Sequence, residues 1–295
     1  MEHRRFGRTG HLSSLAVLGA VAFWYSDQAQ ADAALNLALE HGVNHIDVAP
    51  QYGNAQQVVG TWLESRRGQF FLNCKTLERT RYAAWADLQN SLALLHTDVI
   101  DLYQAHGIAT CEDLDRLRAP GGAIEAFYQA RDQGMVRYLG ITAHGMMAPA
   151  VCQAALELLD LDSVMLPLNA RLYADPDYRR DAERLLQLCQ QRDVGVMVIK
   201  AIAKGPWPVK TEPRPTPWYE PYHDYANIEK NLRFALSQPV TAACTVGNLT
   251  ELPLFLRAAA SFTPMDEAGQ TALIAQRAAE EDEPIFIGPR FNTPE

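Results

Sequence analysis

The sequence predicts an α/β fold in which eight parallel strands, each followed by a helix, close into a (β/α)8 barrel. Three observations carry this. Short apolar, β-branched runs alternate strictly with stretches of helical apolar spacing along 295 residues. Strict alternation requires parallel strands joined by right-handed crossovers. The connections are short, and no linker or low-complexity segment divides the chain. No G-x-G-x-x-G follows the first strand, so the main sequence mark of an open doubly wound sheet is missing. Eight such units can close on themselves. One domain over 1–295 is therefore expected, with an N-terminal hairpin at 1–14 and a C-terminal helix and tail at 262–295.

The elements follow in order. Arg4 to Gly10 and Leu12 to Gly19 read as a hairpin running into the first strand, with the turn at Thr9-Gly10. Asp27 to Gly42 has helical spacing through Ala31, Ala34, Leu35 and Ala38, with Gly42 as the stop. Gly42 to Ile46 is a short buried strand that delivers Asp47 to its carboxyl end, and Pro50 and Gly53 mark the loop beyond it. A helix over 56–66 precedes the strand Phe70 to Lys75, and a helix over 81–96 precedes the strand Val99 to Tyr103, which leads to His106. The pattern repeats as helix 122–134, strand 136–141, helix 148–159, strand 163–168, helix 178–192 and strand 195–200. A loop rich in proline and tryptophan, Gly205 to Pro221, comes next and reads as a pocket wall. Helix 225–237, strand 240–246, helix 251–261, a further helix 266–280 and an irregular tail complete the chain.

Composition narrows the function. The chain is 48% hydrophobic and 21% charged, ordinary for a globular protein, with a net charge of −9. That field opposes binding to nucleic acid or to anionic membranes. Five cysteines, Cys74, Cys111, Cys152, Cys189 and Cys244, are widely spaced with no CxxC pair, so neither a zinc site nor an iron–sulfur cluster is signalled. Four lie in apolar runs, which fits a reducing compartment. With no signal core and no apolar stretch of membrane-spanning length, a cytoplasmic location is expected.

In a barrel the carboxyl ends of the strands converge on one face, where active sites are built. The second strand brings Asp47, with Tyr52 in its loop; the third brings Lys75 and the fourth His106. Taken alone, an acid and a tyrosine in a βα loop more commonly cap a helix and pack. Convergence of four polar side chains favours chemistry. A Lys75 ammonium would favour the phenolate and lower the pKa of Tyr52, Asp47 would keep Lys75 charged, and His106 would donate a hydrogen bond or pass a proton. Tyr52 would then protonate a carbonyl oxygen as hydride reaches carbon, with a nicotinamide supplying the hydride.

These residues stand in motifs that resemble the aldo-keto reductase family over nearly the whole chain. Asp47 to Gly53, DVAPQYG, is similar to the family's Asp-x-Ala-x-x-Tyr-Gly. Ser91 to His106 resembles its long signature ending in the catalytic histidine, and Gly134 to Thr142 its Gly-Lys-Val-Arg-x-x-Gly-Val-Ser. Phe71 to Lys75 resembles the strand that bears the catalytic lysine. The resemblance implies a (β/α)8 (TIM) barrel, a catalytic tetrad of Asp47, Tyr52, Lys75 and His106, and a reduced nicotinamide cofactor, NADPH first and NADH second, without metal. The substrate expected is a small aldehyde or ketone, sugar-derived or aromatic.

The chain departs from the family around the cofactor. Where Ser, Asn and Gln commonly hold the nicotinamide amide, it carries Thr142, Ala143 and Met165, with His144 and Asn169 nearby to compensate; Asn169 reads equally as a turn cap. The Ser-Pro-Leu-x-x-Gly loop is replaced by Lys200-Ala201-Ile202-Ala203-Lys204-Gly205, whose backbone amides and two lysines can still meet a pyrophosphate. At Gly247-Asn248-Leu249-Thr250-Glu251 no basic residue reads a 2′-phosphate, and Arg257 is the nearest. The preference for NADPH over NADH is therefore expected to be modest. Phe23, Trp24, Trp207 and Trp218 are the expected aromatic walls of the substrate pocket. Two other functions compete with a carbonyl reductase. One is a non-catalytic, dinucleotide-sensing subunit of the same fold, which a complete tetrad argues against. The other is a lysine-dependent aldolase, which an Asp47 partner opposes by keeping Lys75 protonated.

Overall fold

The structure is a computed structural model that describes residues 1–208, 216–280 and 284–286. An antiparallel hairpin of β1 (His3–Arg5) and β2 (Leu12–Ser14) precedes the barrel. The barrel strands are β3 (Ala16–Gly19), β4 (His45–Asp47), β5 (Phe71–Thr76), β6 (Ile100–Ile108), β7 (Val136–Ala143), β8 (Ser163–Pro167) and β9 (Gly195–Ile199). A second antiparallel pair, β10 (Ala203–Pro206) and β11 (Tyr219–Pro221), lies outside the barrel. The last barrel strand, β12 (Ala242–Cys244), pairs in parallel with both β9 and β3 and so closes the ring. This is the (β/α)8, or TIM, barrel expected from the alternation.

The enclosing helices are α1 (Gln28–Glu40), α2 (Ala55–Leu63), α3 (Arg81–Leu94), α4 (Cys111–Arg118), α5 (Ala123–Asp132), α6 (Ala148–Leu158), α7 (Ala170–Tyr173), α8 (Pro176–Arg192), α9 (Tyr225–Leu236), α10 (Leu252–Ala260) and α11 (Glu267–Ala278). Their starts are chemically marked. Asp27 and Gln30 form a capping box on α1, and Thr80, Asp175, Asp224 and Asp266 each accept a backbone N–H at a helix start. None of the helices among the described residues is long and apolar enough to cross a membrane.

Differences from the sequence reading have local causes. The strand expected over 42–46 is only His45–Asp47, because Gly42 is still in a turn at φ 81°. Helix α4 was not anticipated, since only Leu114 and Leu117 turn inward from a charged segment; its signal is the Thr110/Asp113 capping box. The loop over 205–221 is in part a strap, with β10 and β11 paired; residues 209–215 of that loop, and 281–283 and 287–295 of the tail, lie outside the described residues.

The two ends of the barrel differ. Phe6, fully buried, fills the amino end, edge-on to His45 and Phe71 at ring separations of 5.4 and 5.8 Å. A Cβ at Gly195 would come within 2.3 Å of the Phe6 ring, so the plug fits only against glycine. The hairpin thus seals one end of the barrel interior, and the interior opens at the carboxyl end. Helix α2, which follows the Tyr52 loop, sits directly on the end of α3: a Cβ at Gly60 would lie 2.0 Å from the Leu94 carbonyl oxygen, whereas one at Gly68 meets nothing within 4 Å. Gly60→Ala is expected to cost about 1–3 kcal/mol by overpacking, and Gly68→Ala less than about 0.5 kcal/mol. Equilibrium urea denaturation of the two variants measures the difference.

Candidate active site

Asp47, the last residue of β4, and Lys75 of β5 meet inside the barrel mouth. Lys75 Nζ donates to Asp47 Oδ2 at 2.6 Å, to the Tyr52 hydroxyl at 3.2 Å and to the Val48 carbonyl at 3.4 Å. The lysine is 1% exposed and all three ammonium protons are engaged. Burial alone pulls Lys75 down, but the adjacent Asp47 charge more than reverses this and holds the ammonium above its ordinary value. The tyrosine is placed by its neighbour Gly53, which sits at φ 55°; a Cβ there would lie 2.2 Å from the Trp24 carbonyl. The Tyr52 and His106 rings stand perpendicular with centroids 5.9 Å apart. All four expected tetrad residues are therefore together.

Two electrostatic results refine the sequence reading. Tyr52 was expected to titrate below its usual value beside Lys75. Burial raises it more than the ammonium lowers it, to about 12. His106 is pushed well below the usual histidine range, first by burial and then by Lys75, Arg79 and Lys200, so the imidazole is neutral. Its Nδ1 is buried without a hydrogen-bond partner, while its carbonyl accepts from Arg79 at 2.6 Å.

Beneath the tetrad runs a polar ladder that the sequence reading missed. Asn73 donates to Asp47 Oδ1 and, at 3.0 Å, to Gln104 Oε1; Gln104 Nε2 donates to Ser163 Oγ at 3.2 Å. All are buried. Gly140 makes room, since a Cβ there would lie 2.3 Å from Ser163 Oγ. The available signal was an Asn and a Gln on otherwise apolar strands.

The tetrad opens into a cavity of about 290 Å3. Of the four aromatic residues expected to wall a substrate pocket, Trp24 and Trp218 line this cavity. Phe23 does not; it is fully buried in the core between barrel and helices. Nor does Trp207, whose indole N–H is tied to the Pro217 carbonyl at 2.8 Å beside His223. Of the expected cofactor residues, Thr142, Met165, Lys200 and Gly247 line the cavity. Thr142 Oγ1 already accepts the Gly107 N–H at 2.9 Å. The remainder lie off it. Ala143, Ala201 and Ile202 are buried in the core. Asn169 caps α7 through Leu172 N and donates to the Lys200 carbonyl, each within 3.0 Å. Lys204 lies 3.4 Å from the Glu220 carboxylate, and Asn248 accepts from Glu251 N at 3.2 Å. Gly19, His144, Cys244 and Thr245 line the cavity as well; apart from His144 they were not singled out. Cys74, Cys152, Cys189 and Cys244 are buried and Cys111 is exposed, all as free thiols. Among the described residues no group of three or more His, Cys, Asp or Glu side chains is spaced to hold a metal ion.

The model of the Aldo/keto reductase family matches residues 16–243, from the first barrel strand to the last. The chain belongs to the aldo/keto reductase family. This aldo/keto reductase is 25% identical over 287 residues to the "Uncharacterized oxidoreductase YqkF" of Bacillus subtilis, spanning 84% of this chain and 87% of that protein. It is 25% identical over 228 residues to the "Aldo-keto reductase YhdN" of the same organism, spanning 70% of this chain and 63% of that protein. Among solved structures it resembles the holo form of aldo-keto reductase AKR11C1 from Bacillus halodurans, with a TM-score of 0.71 and 24% identity over 98% of this chain and 99% of that one. The protein is thus an oxidoreductase of this class on a TIM barrel.

Removing one member of a buried ion pair strands the other in a low-dielectric interior. Asp47→Asn is expected to cost about 3–5 kcal/mol in folding stability, and the double variant Asp47→Asn/Lys75→Met less than the sum of its parts. A double-mutant cycle by chemical denaturation checks both.

Proposed function

We propose that this reductase reversibly reduces the carbonyl of a small aldehyde or ketone to an alcohol, with Tyr52 as the general acid. The observation that carries the reading is the single ammonium of Lys75 bonded at once to Asp47 and to the Tyr52 hydroxyl, with His106 across the cavity wall. The lining suits a nicotinamide dinucleotide beside the tetrad: Trp24, Met165 and Trp218 give it apolar walls, and the His106 ring and the Lys200 side chain are among its polar groups. Thr142, Met165 and Gly247 would flank the nicotinamide end. The segment Lys200-Ala201-Ile202, although the Ala201 and Ile202 side chains pack in the core, would offer backbone amides to the phosphates, with Lys204 and Asn248 further out. The cofactor supplies hydride when bound.

The chain's own residues do the rest. Tyr52, protonated at neutral pH, places its O–H proton at the carbonyl oxygen, while neutral His106 offers a ring N–H to the same oxygen. As the oxygen takes the proton, negative charge develops on the phenolate oxygen, 3.2 Å from an ammonium that never has to reorganise. Asp47 fixes that ammonium and keeps it charged. Trp24 and Trp218 wall the cavity with apolar surface that suits an apolar or aromatic substrate. In the reverse direction the phenolate form of Tyr52 takes the alcohol proton. A sensing subunit without catalysis would have no need of this complete arrangement.

Tyr52→Phe is expected to lower kcat for an aromatic aldehyde by about 10²–10⁴ and to spare dinucleotide binding, read by reduced-nicotinamide absorbance and fluorescence titration. Full activity in that variant rejects the acid assignment. Because burial raises the phenol, wild-type kcat for reduction has no tyrosine limb near neutral pH, whereas alcohol oxidation climbs as pH rises toward the phenolate.

The 2′-phosphate has no cation waiting at Gly247 to Glu251: Glu251 is buried against His223, and Arg257 lies 4.1 Å over the Tyr225 ring. A hydrogen bond to a charged group is worth roughly 1.5–3 kcal/mol. Without one, the ratio of kcat/KM for NADPH over NADH is expected to stay within about tenfold. Steady-state kinetics with both dinucleotides measures it.

A further inference from the structure

Lys200 takes no part in the proton transfer, and its ammonium has no role in that scheme. It follows β9 at φ 63°, with its carbonyl held by Asn169 Nδ2, so the side chain enters the cavity and is only 7% exposed. Its Nζ lies 3.2 Å from His144 Nδ1 and 5.6, 6.0 and 5.6 Å from the ring centroids of Trp218, Tyr219 and Phe286. The two other cations buried to this degree among the described residues each have a carboxylate: Lys75 has Asp47, and Arg277 has Glu280. Among the described residues Lys200 has none.

The groups that face it do not compensate. His144 at the end of β7 and His106 on β6 are both driven well below the histidine range by burial, with Lys200 a contributor. Cys244 on β12 and Tyr219 on β11 are driven up by burial and stay protonated, as does Tyr52. Asp47 and Lys75 cancel each other. Among the described residues the cavity therefore carries one uncancelled positive charge whenever Lys200 is protonated. A desolvated cation without a counter-charge is costly to a protein unless a ligand supplies the anion. Aromatic rings soften the cost and leave the ammonium's protons available.

We propose that Lys200 Nζ, with the His144 ring beside it, is an oxyanion-recognition site of the catalytic cavity, taking a carboxylate or a phosphate carried by the bound ligand. The proposal rests on the reading of this cavity as the seat of a dinucleotide and a carbonyl substrate. Either could bring the anion: the diphosphate of the first, or a carboxylate on the second. In a row along the mouth, the His144 ring stands 5.9 Å from the His106 ring, so a carbonyl at Tyr52 and His106 and an anion at Lys200 can belong to one small molecule. Burial holds Lys200 down to about 7. Anion binding draws that value up and takes up a proton, so the Lys200 contribution is present below pH 7 and is lost as pH rises above it.

The test compares the wild-type protein with Lys200→Met and Lys200→Arg at pH 6.5 and pH 9. One arm titrates NADH and NADPH by quenching of protein fluorescence; the other measures kcat/KM for 4-carboxybenzaldehyde relative to 4-methylbenzaldehyde. A charge-assisted contact is worth roughly tenfold or more in affinity. Loss of that size in Lys200→Met at pH 6.5, shrinking at pH 9 and partly restored in Lys200→Arg, supports the site. In the first arm it identifies a cofactor phosphate, and in the second a substrate carboxylate. Relief of an uncompensated buried charge is also expected to raise the melting temperature of the ligand-free Lys200→Met protein. If neither arm moves by more than about twofold, the proposal is overturned while the tyrosine mechanism stands. If the wild-type protein reduces neither aldehyde, the reductase reading fails by itself and the dinucleotide arm still decides Lys200. Should Lys200→Met fail to fold, Lys200→Gln replaces it in both arms.

Discussion

The buried ion pair of Asp47 and Lys75 is the constraint to which the rest of the site conforms. Two charges removed from water are costly, and their attraction offsets that cost only with good geometry and full hydrogen bonding. Here each partner is satisfied from several sides. The lysine also meets the Tyr52 hydroxyl and the Val48 carbonyl, and the aspartate also accepts from Asn73. Asn73 is in turn held by Gln104, and Gln104 by Ser163, so the pair rests on polar side chains from three further strand positions. A fixed ammonium is the result, and a fixed ammonium can stabilise a phenolate as it forms.

Burial decides protonation throughout the mouth. It defeats the nearby ammonium at Tyr52, which remains an acid, and it keeps His106 and His144 neutral. The site is therefore a pocket of neutral hydrogen-bonding groups around one internal ion pair, with Lys200 as the further cation among the described residues. Proton donation to a carbonyl needs the first property. Selecting an anionic group would use the second.

Legibility in the sequence followed the range of the interactions. The alternation of strand and helix signals, the helix starts near Asp27 and Asp266, and the motif around Asp47 and Tyr52 are local in sequence, and they were readable. Helix α4 was hidden because its face toward the protein is only Leu114 and Leu117 in a charged segment. The pairing of β10 with β11 spans a proline-rich loop whose composition masks it. Asn169 illustrates a true ambiguity, since its cap on α7 and its bond to the Lys200 carbonyl both depend on where the chain passes afterwards.

By itself the sequence determined the barrel and the four polar residues gathered at its mouth, because periodicity and strand order dictate which side chains share the carboxyl face. Only the tertiary structure decided how those side chains titrate, which aromatic residues reach the cavity and which stay in the core, and that Lys200 enters it beside His144. Desolvation and proximity across the barrel set these outcomes, and both are sums over residues distant in the chain that no local pattern encodes.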